Sequence, residues 1–412
     1  MDTNKPPLVP PKMATGGITP GPPPGVAPLG MAAPSVNGPM LGPPGGGPMI
    51  MPGMEASGNE TLPMFGQRIA QTINGGFLTL SIAAGHQTGL FTTLGRYEGV
   101  AKTSQEIATD AGLKERYVRE WLGAMVTGNI VDQCQDGKFV LPPHRAAFLG
   151  ENGFGTELLI LASALPMQSQ VFNKVMACFD KDGPNGVSYK HYTEFHHFMS
   201  LMSNVWWGRH LIASFVPSVP GLREQLEAGI SVLDVGCGEG GASILLAEHF
   251  PNSKFVGIDL VEDPIKYANS ALREKNLDNI RFEVMDAHDI PEAWDSSFQF
   301  VMASDSLHDM AHPVDVIKII KRILTPEGKF SVLEVNAHSQ ISQNKMMPYA
   351  STFYTNSLFH CMTVSLHAEG GEGKGNMWGR EDTETALKEG GLTLLSVHAP
   401  DGWFNVHFLC KK

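Results

Sequence analysis

The segment Val232-Leu233-Asp234-Val235-Gly236-Cys237-Gly238-Glu239-Gly240-Gly241 decides the fold. An apolar run that ends in an acid and passes into closely spaced glycines reads as a strand, a tight turn and the start of a helix. Gly236, Gly238 and Gly241 have G-x-G-x-x-G spacing, with Gly240 in the same turn, so the backbone can approach a nucleotide-like ligand. Asp259 ends the next strand-like run, about 20 residues on, where an acid that holds a ribose is expected. The spacing alone would fit a dinucleotide. Asp234 argues otherwise: an acid two positions before the first glycine opposes a pyrophosphate at a helix N-terminus and suits a ligand carrying an ammonium and a sulfonium. Glu239 adds negative charge. Gly371-Glu372-Gly373-Lys374 does not match a phosphate-binding P-loop.

Around this segment, strand-like runs alternate with helix-like ones: Ser231–Val235, Lys254–Ile258, Arg281–Val284, Phe298–Ala303, Lys329–Glu334, Leu392–His398 and Phe404–Cys410. Such alternation predicts an α/β layer on a mostly parallel sheet. Towards the N-terminus, Ile69, Ile73, Phe77, Leu78, Leu80 and Ile82 have helical spacing, interrupted by Gly75 and Gly76. Thr103 and Glu106 have capping-box spacing. A second helix sets Val118, Trp121, Leu122, Met125 and Val126 on one face. Ile130-Val131, a turn at Gln135-Asp136-Gly137, and Phe139-Val140-Leu141 predict a hairpin. Helix, turn, helix and two-stranded wing outline a winged helix. The expected division is a tail over 1–60, a winged-helix domain over 61–150, a helical segment over 151–225 and the α/β domain over 226–412.

Composition narrows the function. The tail holds 15 of the 29 prolines and 12 of the 45 glycines with almost no charge, and is expected to be disordered. A net charge of −12 over 412 residues disfavours nucleic acid and anionic membranes. No run of 18 apolar residues and no signal peptide are read, and five scattered cysteines without a CxxC pair fit a reducing, cytoplasmic compartment and no structural zinc. His191, His196 and His197 complete no metal pattern and are read as pocket lining or packing, so no metal is expected. The aromatic residues from Tyr189 to Phe198 are candidates to roof a substrate cavity, and Gly370 to Gly375 to form a mobile lid.

The glycine segment resembles motif I of class I methyltransferases, which implies a Rossmann-like sheet and S-adenosyl-L-methionine as cofactor. The resemblance extends to Gly257-Ile258-Asp259-Leu260, whose acid takes both ribose hydroxyls, and to Met285-Asp286-Ala287, whose acid faces the adenine. It implies a cofactor site of Asp234, Gly236, Gly238, Gly240, Asp259, Leu260, Asp286, Ala287 and Ser304. A capping role is the alternative for Asp286.

After the fourth strand comes Ser304-Asp305-Ser306-Leu307-His308-Asp309-Met310, where a histidine at a strand C-terminus faces the cleft and can take a proton from an oxygen acceptor. The Leu-His-Asp triplet is similar to that of plant-type O-methyltransferases, which implies His308 as base and Glu334 as the acid that orients it. Asp309 is read as structural, and pocket lining alone is the alternative for His308. Glu115 to Met125, His360-Cys361-Met362-Thr363-Val364-Ser365-Leu366 and Asn376-Met377-Trp378-Gly379 look like bacterial, mycobacterial-type winged-helix methyltransferases.

The expected partners are a small-molecule methyl acceptor and a second copy of the chain. Between Ser104 and Gly123 the charges are Glu106, Asp110, Glu115 and Glu120 against Lys114, Arg116 and Arg119, a poor match to DNA phosphates. In plant-type O-methyltransferases this domain dimerises, which implies Trp121, Leu122 and Met125 as the apolar surface. A DNA-binding regulator and a non-catalytic sensor of the cofactor are the alternatives.

Overall fold

The computed structural model describes residues 60–151, 153–399 and 404–412. The disorder expected of the tail falls on residues 1–59, outside the described ones. A 26-residue helix, Leu62–Gln87, runs through Gly75 and Gly76 without a break. Helices Ser104–Ala111 and Glu115–Thr127 follow. The first is capped by Thr103, whose side chain accepts from the Glu106 N–H while Glu106 returns a bond to the Thr103 N–H, and it stops at Gly112 in the left-handed region.

The wing differs from its expected register. Strands β1 (Asp132–Gln133) and β2 (Phe139–Val140) pair antiparallel, and Lys102 bridges to Phe139. Ile130 and Val131 are not in β1. Val131 is 1% exposed in the core of this domain, so its apolar character serves packing and the strand begins at exposed Asp132. Trp121, Leu122 and Met125 lie in the same core, at 8%, 0% and 0% exposure, against Leu90, Phe91 and Ile107. They are therefore inside the domain and cannot be the surface offered to a second copy. A row of exposed apolar side chains runs along Leu62–Gln87 instead: Leu62, Phe65, Ile69, Ile73, Phe77 and Leu80.

The second half is a seven-stranded sheet. Its strands are β3 (Ser231–Val235), β4 (Lys254–Asp259), β5 (Ile280–Val284), β6 (Phe298–Ser304), β7 (Leu324–Val335), β8 (Thr393–His398) and β9 (Asn405–Lys411), in the order β5-β4-β3-β6-β7-β9-β8. The first five run parallel; β9 is antiparallel to both its neighbours. The chain lays β4 and β5 on one side of β3, then crosses to β6 on the other, so the order reverses at β3. A crevice outside the strand C-termini is the consequence of that switch. Helices Pro313–Ile323 and Gly379–Glu389 pack on one face, and Gly241–His249 and Glu262–Lys275 on the other. Among the described residues no helix is long and apolar enough to cross a membrane.

Candidate functional site

At the end of β3 the chain turns through Gly236, Gly238 and Gly240, with φ of 73°, 55° and 77°. These are left-handed values that side chains resist. A Cβ at Gly240 would stand 2.3 Å from the Phe282 ring, so this glycine closes the turn on β5, and it does not line the cavity. A Cβ at Gly241 would stand 2.0 Å from Asn204 Oδ1, so the helix carrying Asn204 sits directly on the turn. The Gly236 and Cys237 N–H groups both donate to the Ile258 carbonyl, at 2.9 and 3.0 Å.

Two acids flank the turn. Asp234 is 4% exposed and accepts from Ser243 Oγ at 2.7 Å. Burial pushes its carboxyl up to about 6, against the Ser243 bond and with help from the Asp259 charge. Asp259 accepts from the Gly238 N–H and the Val261 N–H, both at 2.9 Å, so backbone holds one bond on each oxygen.

A cavity of about 780 Å³ opens from this turn. Its walls include Asp234, Gly236, Gly238, Asp259, Leu260, Asp286, Ala287 and Ser304 of the expected cofactor residues. Asp286 also caps the short turn Ala287–Asp289, with its Oδ1 bonded to the N–H and Nδ1 of His288. Capping and cavity lining coexist in one side chain. Nine of the lining residues are Asp or Glu, and Lys190 is the one Lys or Arg among them. Such an excess repels pyrophosphate and attracts a cation. The open space at Gly238, where a Cβ would meet nothing within 4 Å, leaves backbone free for a ligand. The donor set thus fits a ligand with ammonium and sulfonium charges and vicinal hydroxyls.

Helix Phe195–His210 forms one wall through Phe195, His196, Met199, Ser200, Ser203, Asn204 and Trp207, a stripe at helical spacing. Tyr189 stands beside it, stacked on His196 at 6.0 Å between ring centres. The aromatic segment therefore does line the cavity, although His197 is exposed and turned away from it. The glycine-rich loop is tied down: Glu372 N–H donates to the Ala311 carbonyl, Gly373 N–H to Ser365 Oγ and Gly375 N–H to the His308 carbonyl. It is a strap across the Leu307–His312 turn, not the mobile lid its composition suggests.

His308 and Glu334 come together. The imidazole Nδ1 and the Glu334 carboxylate form a short hydrogen bond, and their side chains are 3% and 1% exposed. Asp309 Oδ1 lies 3.3 Å from His308 Nε2. Burial works against the imidazolium, but the charges of Glu334 and Asp309 together outweigh it, and the His308 pKa stands well above its usual value. Asp309 lines the cavity; His308 and Glu334 lie behind it. Tyr189 donates to Asp309 Oδ2 at 3.1 Å. Burial raises the Asp309 carboxyl, while His308, Cys361 and Tyr189 oppose the rise. Asp305, with φ of 48°, accepts from Asn405 Nδ2 at 2.7 Å. Its carboxyl is pushed up to about 7 by burial and by the Glu334 charge. Ser306 Oγ donates to the Val235 carbonyl at 2.8 Å, joining this turn to the glycine turn.

Tyr189, His360 and Cys361 stand in stretches the sequence singles out, but their meeting at Asp309 has no local signal. Tyr189 sits in a single turn of three residues, Tyr189–His191. His360 and Cys361 are delivered by a π-helical turn, Ser357–Cys361, whose spacing matches neither helix nor strand. Asp309 was legible as part of Leu-His-Asp, but its place at the wall was not.

Residues 226–390 match the family described as a methyltransferase domain, and residues 76–151 the family described as an Rv2258c-like winged HTH domain. A demethylmenaquinone methyltransferase of Lactobacillus johnsonii is 28% identical over 148 residues, 35% of this chain and 57% of that protein. The 27-O-demethylrifamycin SV methyltransferase of Amycolatopsis mediterranei is 36% identical over 109 residues, 26% of this chain and 39% of that protein. The chain thus spans about half, or less, of the length of these curated relatives. Among solved structures, human N-acetylserotonin methyltransferase in complex with SAM superposes with a TM-score of 0.60 at 13% identity, over 87% of this chain and 99% of that one, a likeness of fold. The chain carries a methyltransferase domain preceded by a winged helix-turn-helix domain.

Proposed function

We propose that the chain is an S-adenosyl-L-methionine-dependent methyltransferase that acts on a hydroxyl of a small molecule. The observation that carries this is the charge of the cavity: nine carboxylates and one lysine around a glycine turn in a methyltransferase domain. Asp234 and the turn hold the methionyl end, Asp259 the ribose hydroxyls, and Asp286 with Ala287 the adenine, with Leu260 and Ser304 along the walls. Bound there, the cofactor supplies a methyl group already activated by a sulfonium. The chain then has to position the acceptor and accept its proton.

His308 is the proton acceptor in this reading and Glu334 its orienting partner. The raised pKa of His308 means the imidazolium must first lose its proton, and Asp309 is the wall residue through which Nε2 reaches the cavity. The names of the two curated relatives support a small-molecule acceptor. The four acids against three basic residues between Ser104 and Gly123 argue against DNA as a partner. All five cysteines are free, which supports a reducing, cytoplasmic setting. The exposed apolar stripe on Leu62–Gln87 supports association with a second copy.

The test is calorimetric titration of S-adenosylmethionine and S-adenosylhomocysteine into the full chain and into Asp259→Ala. Micromolar binding that is lost in the variant supports the reading and justifies screening acceptors with labelled methyl groups. A folded chain that binds neither ligand overturns it.

A further inference from the structure

Among the described residues, one set of His, Cys and carboxylate atoms falls within metal-ligand spacing: His308, Asp309 and Cys361, all within 4.8 Å of one another. Three observations single it out. His308 Nε2 and Asp309 Oδ1 face each other at 3.3 Å without a hydrogen bond, and Oδ1 has no other partner. Ligand atoms 2.0 to 2.3 Å from a tetrahedral metal are about 3.3 to 3.8 Å apart, so this separation is the edge of such a site. The second is Glu334, which holds Nδ1 and turns the Nε2 lone pair towards Asp309 and Cys361, the carboxylate–histidine arrangement that supports metal-binding imidazoles. The third is His360. It is 1% exposed, neither ring nitrogen has a partner, and Nδ1 stands 3.7 Å from Asp309 Oδ2. A buried imidazole without a partner is costly and calls for an explanation.

We propose that His308 Nε2, Asp309 Oδ1 and Cys361 Sγ bind a zinc ion, with His360 beside the fourth position. One thiolate, one imidazole and one carboxylate suit a borderline ion of tetrahedral habit, not magnesium or calcium. Tyr189 occupies Asp309 Oδ2 at 3.1 Å and leaves Oδ1 to the metal. Asp309 lines the cavity, which gives the ion a way in. On binding, the Cys361 thiol gives up its proton, since the thiolate is the ligand form, and the metal takes the His308 Nε2 lone pair. Zinc and the proton compete for one nitrogen. The loaded form therefore cannot take an acceptor proton at His308, and the ion acts as a brake on the reaction proposed above. The inference stands on the donor geometry and does not depend on that reaction.

The experiment uses chelator-treated full-length protein and cobalt(II) as the optical probe. The expected result is one cobalt per chain with a thiolate-to-cobalt charge-transfer band. The band should be absent in Cys361→Ser and present when Cys134, Cys178 and Cys237 are all replaced by serine. Zinc should displace the cobalt, and Glu334→Gln should weaken zinc about 10- to 100-fold in competition with a chromophoric chelator. The triple variant keeps the test decisive if Cys361→Ser does not fold, because the one other thiol it retains, Cys410 on β9, is packed in the apolar core at 0% exposure. No charge-transfer band in the wild type, or a band that disappears in the triple variant, overturns the proposal. Cofactor titration on the same samples tells this failure apart from failure of the methyltransferase reading.

Discussion

Glu334 on β7 and His308 in the turn after β6, 26 positions apart in the chain, form a hydrogen-bonded pair sealed from solvent. Removing the acid strands a buried cation. Glu334→Ala is expected to destabilise the fold by about 3 to 5 kcal/mol, read from urea denaturation. The sign with pH follows from the raised His308 pKa. The pair's stabilisation is fully present below the ordinary imidazole value and is lost as pH rises through the folded one.

The same shift sets the direction of catalysis. Turnover should climb with pH as the imidazolium gives up its proton. His308→Gln should lower it about 10² to 10⁴-fold and leave S-adenosylmethionine affinity unchanged. A variant with full turnover would remove His308 from the chemistry.

Asp234 makes cofactor binding depend on acid. Burial raises its carboxyl to about 6, so below that pH it is neutral and offers no charge to an ammonium. Affinity measured by calorimetry should fall as pH drops through about 6, and Asp234→Asn should flatten the profile. Without ligand the sign of the stability effect is opposite to that of a paired acid. The buried carboxylate costs stability as pH rises from the ordinary 3.8 through about 6.

The outward stripe of helix Leu62–Gln87 predicts a dimer. Ile73 and Phe77 are 57% and 69% exposed, so Ile73→Glu with Phe77→Glu should leave each chain folded, with an unchanged far-ultraviolet circular dichroism spectrum. Sedimentation should show the sedimenting mass halved. Equal masses for variant and wild type would exclude this face.

The α/β half was legible because each strand is an apolar run closed by a turn residue, and all seven expected runs overlap observed strands. The helical half was legible in outline and misleading in detail. Trp121 and Leu122 form an apolar helix face, and such a face reads alike whether it covers its own core or a partner. Val131 looked like strand because β-branched residues suit both strand and core. Gly75 and Gly76 suggested a break, yet each costs only about 1 kcal/mol in a helix that extends well beyond them on both sides. At the site, the glycine turn and its acids are consecutive or near-consecutive in sequence and could be read there. Tyr189 and Cys361 reach Asp309 through tertiary packing, and no local pattern announces that.

The seat of Asn204 on Gly241 has a consequence for how such chains diverge. With 2.0 Å between a Cβ at 241 and Oδ1 of 204, the Asn204 amide must turn aside before position 241 can carry a side chain. Alanine at 241 should therefore be tolerated where the Asn204 amide can swing away, and a larger residue at 241 should call for a shorter one at 204.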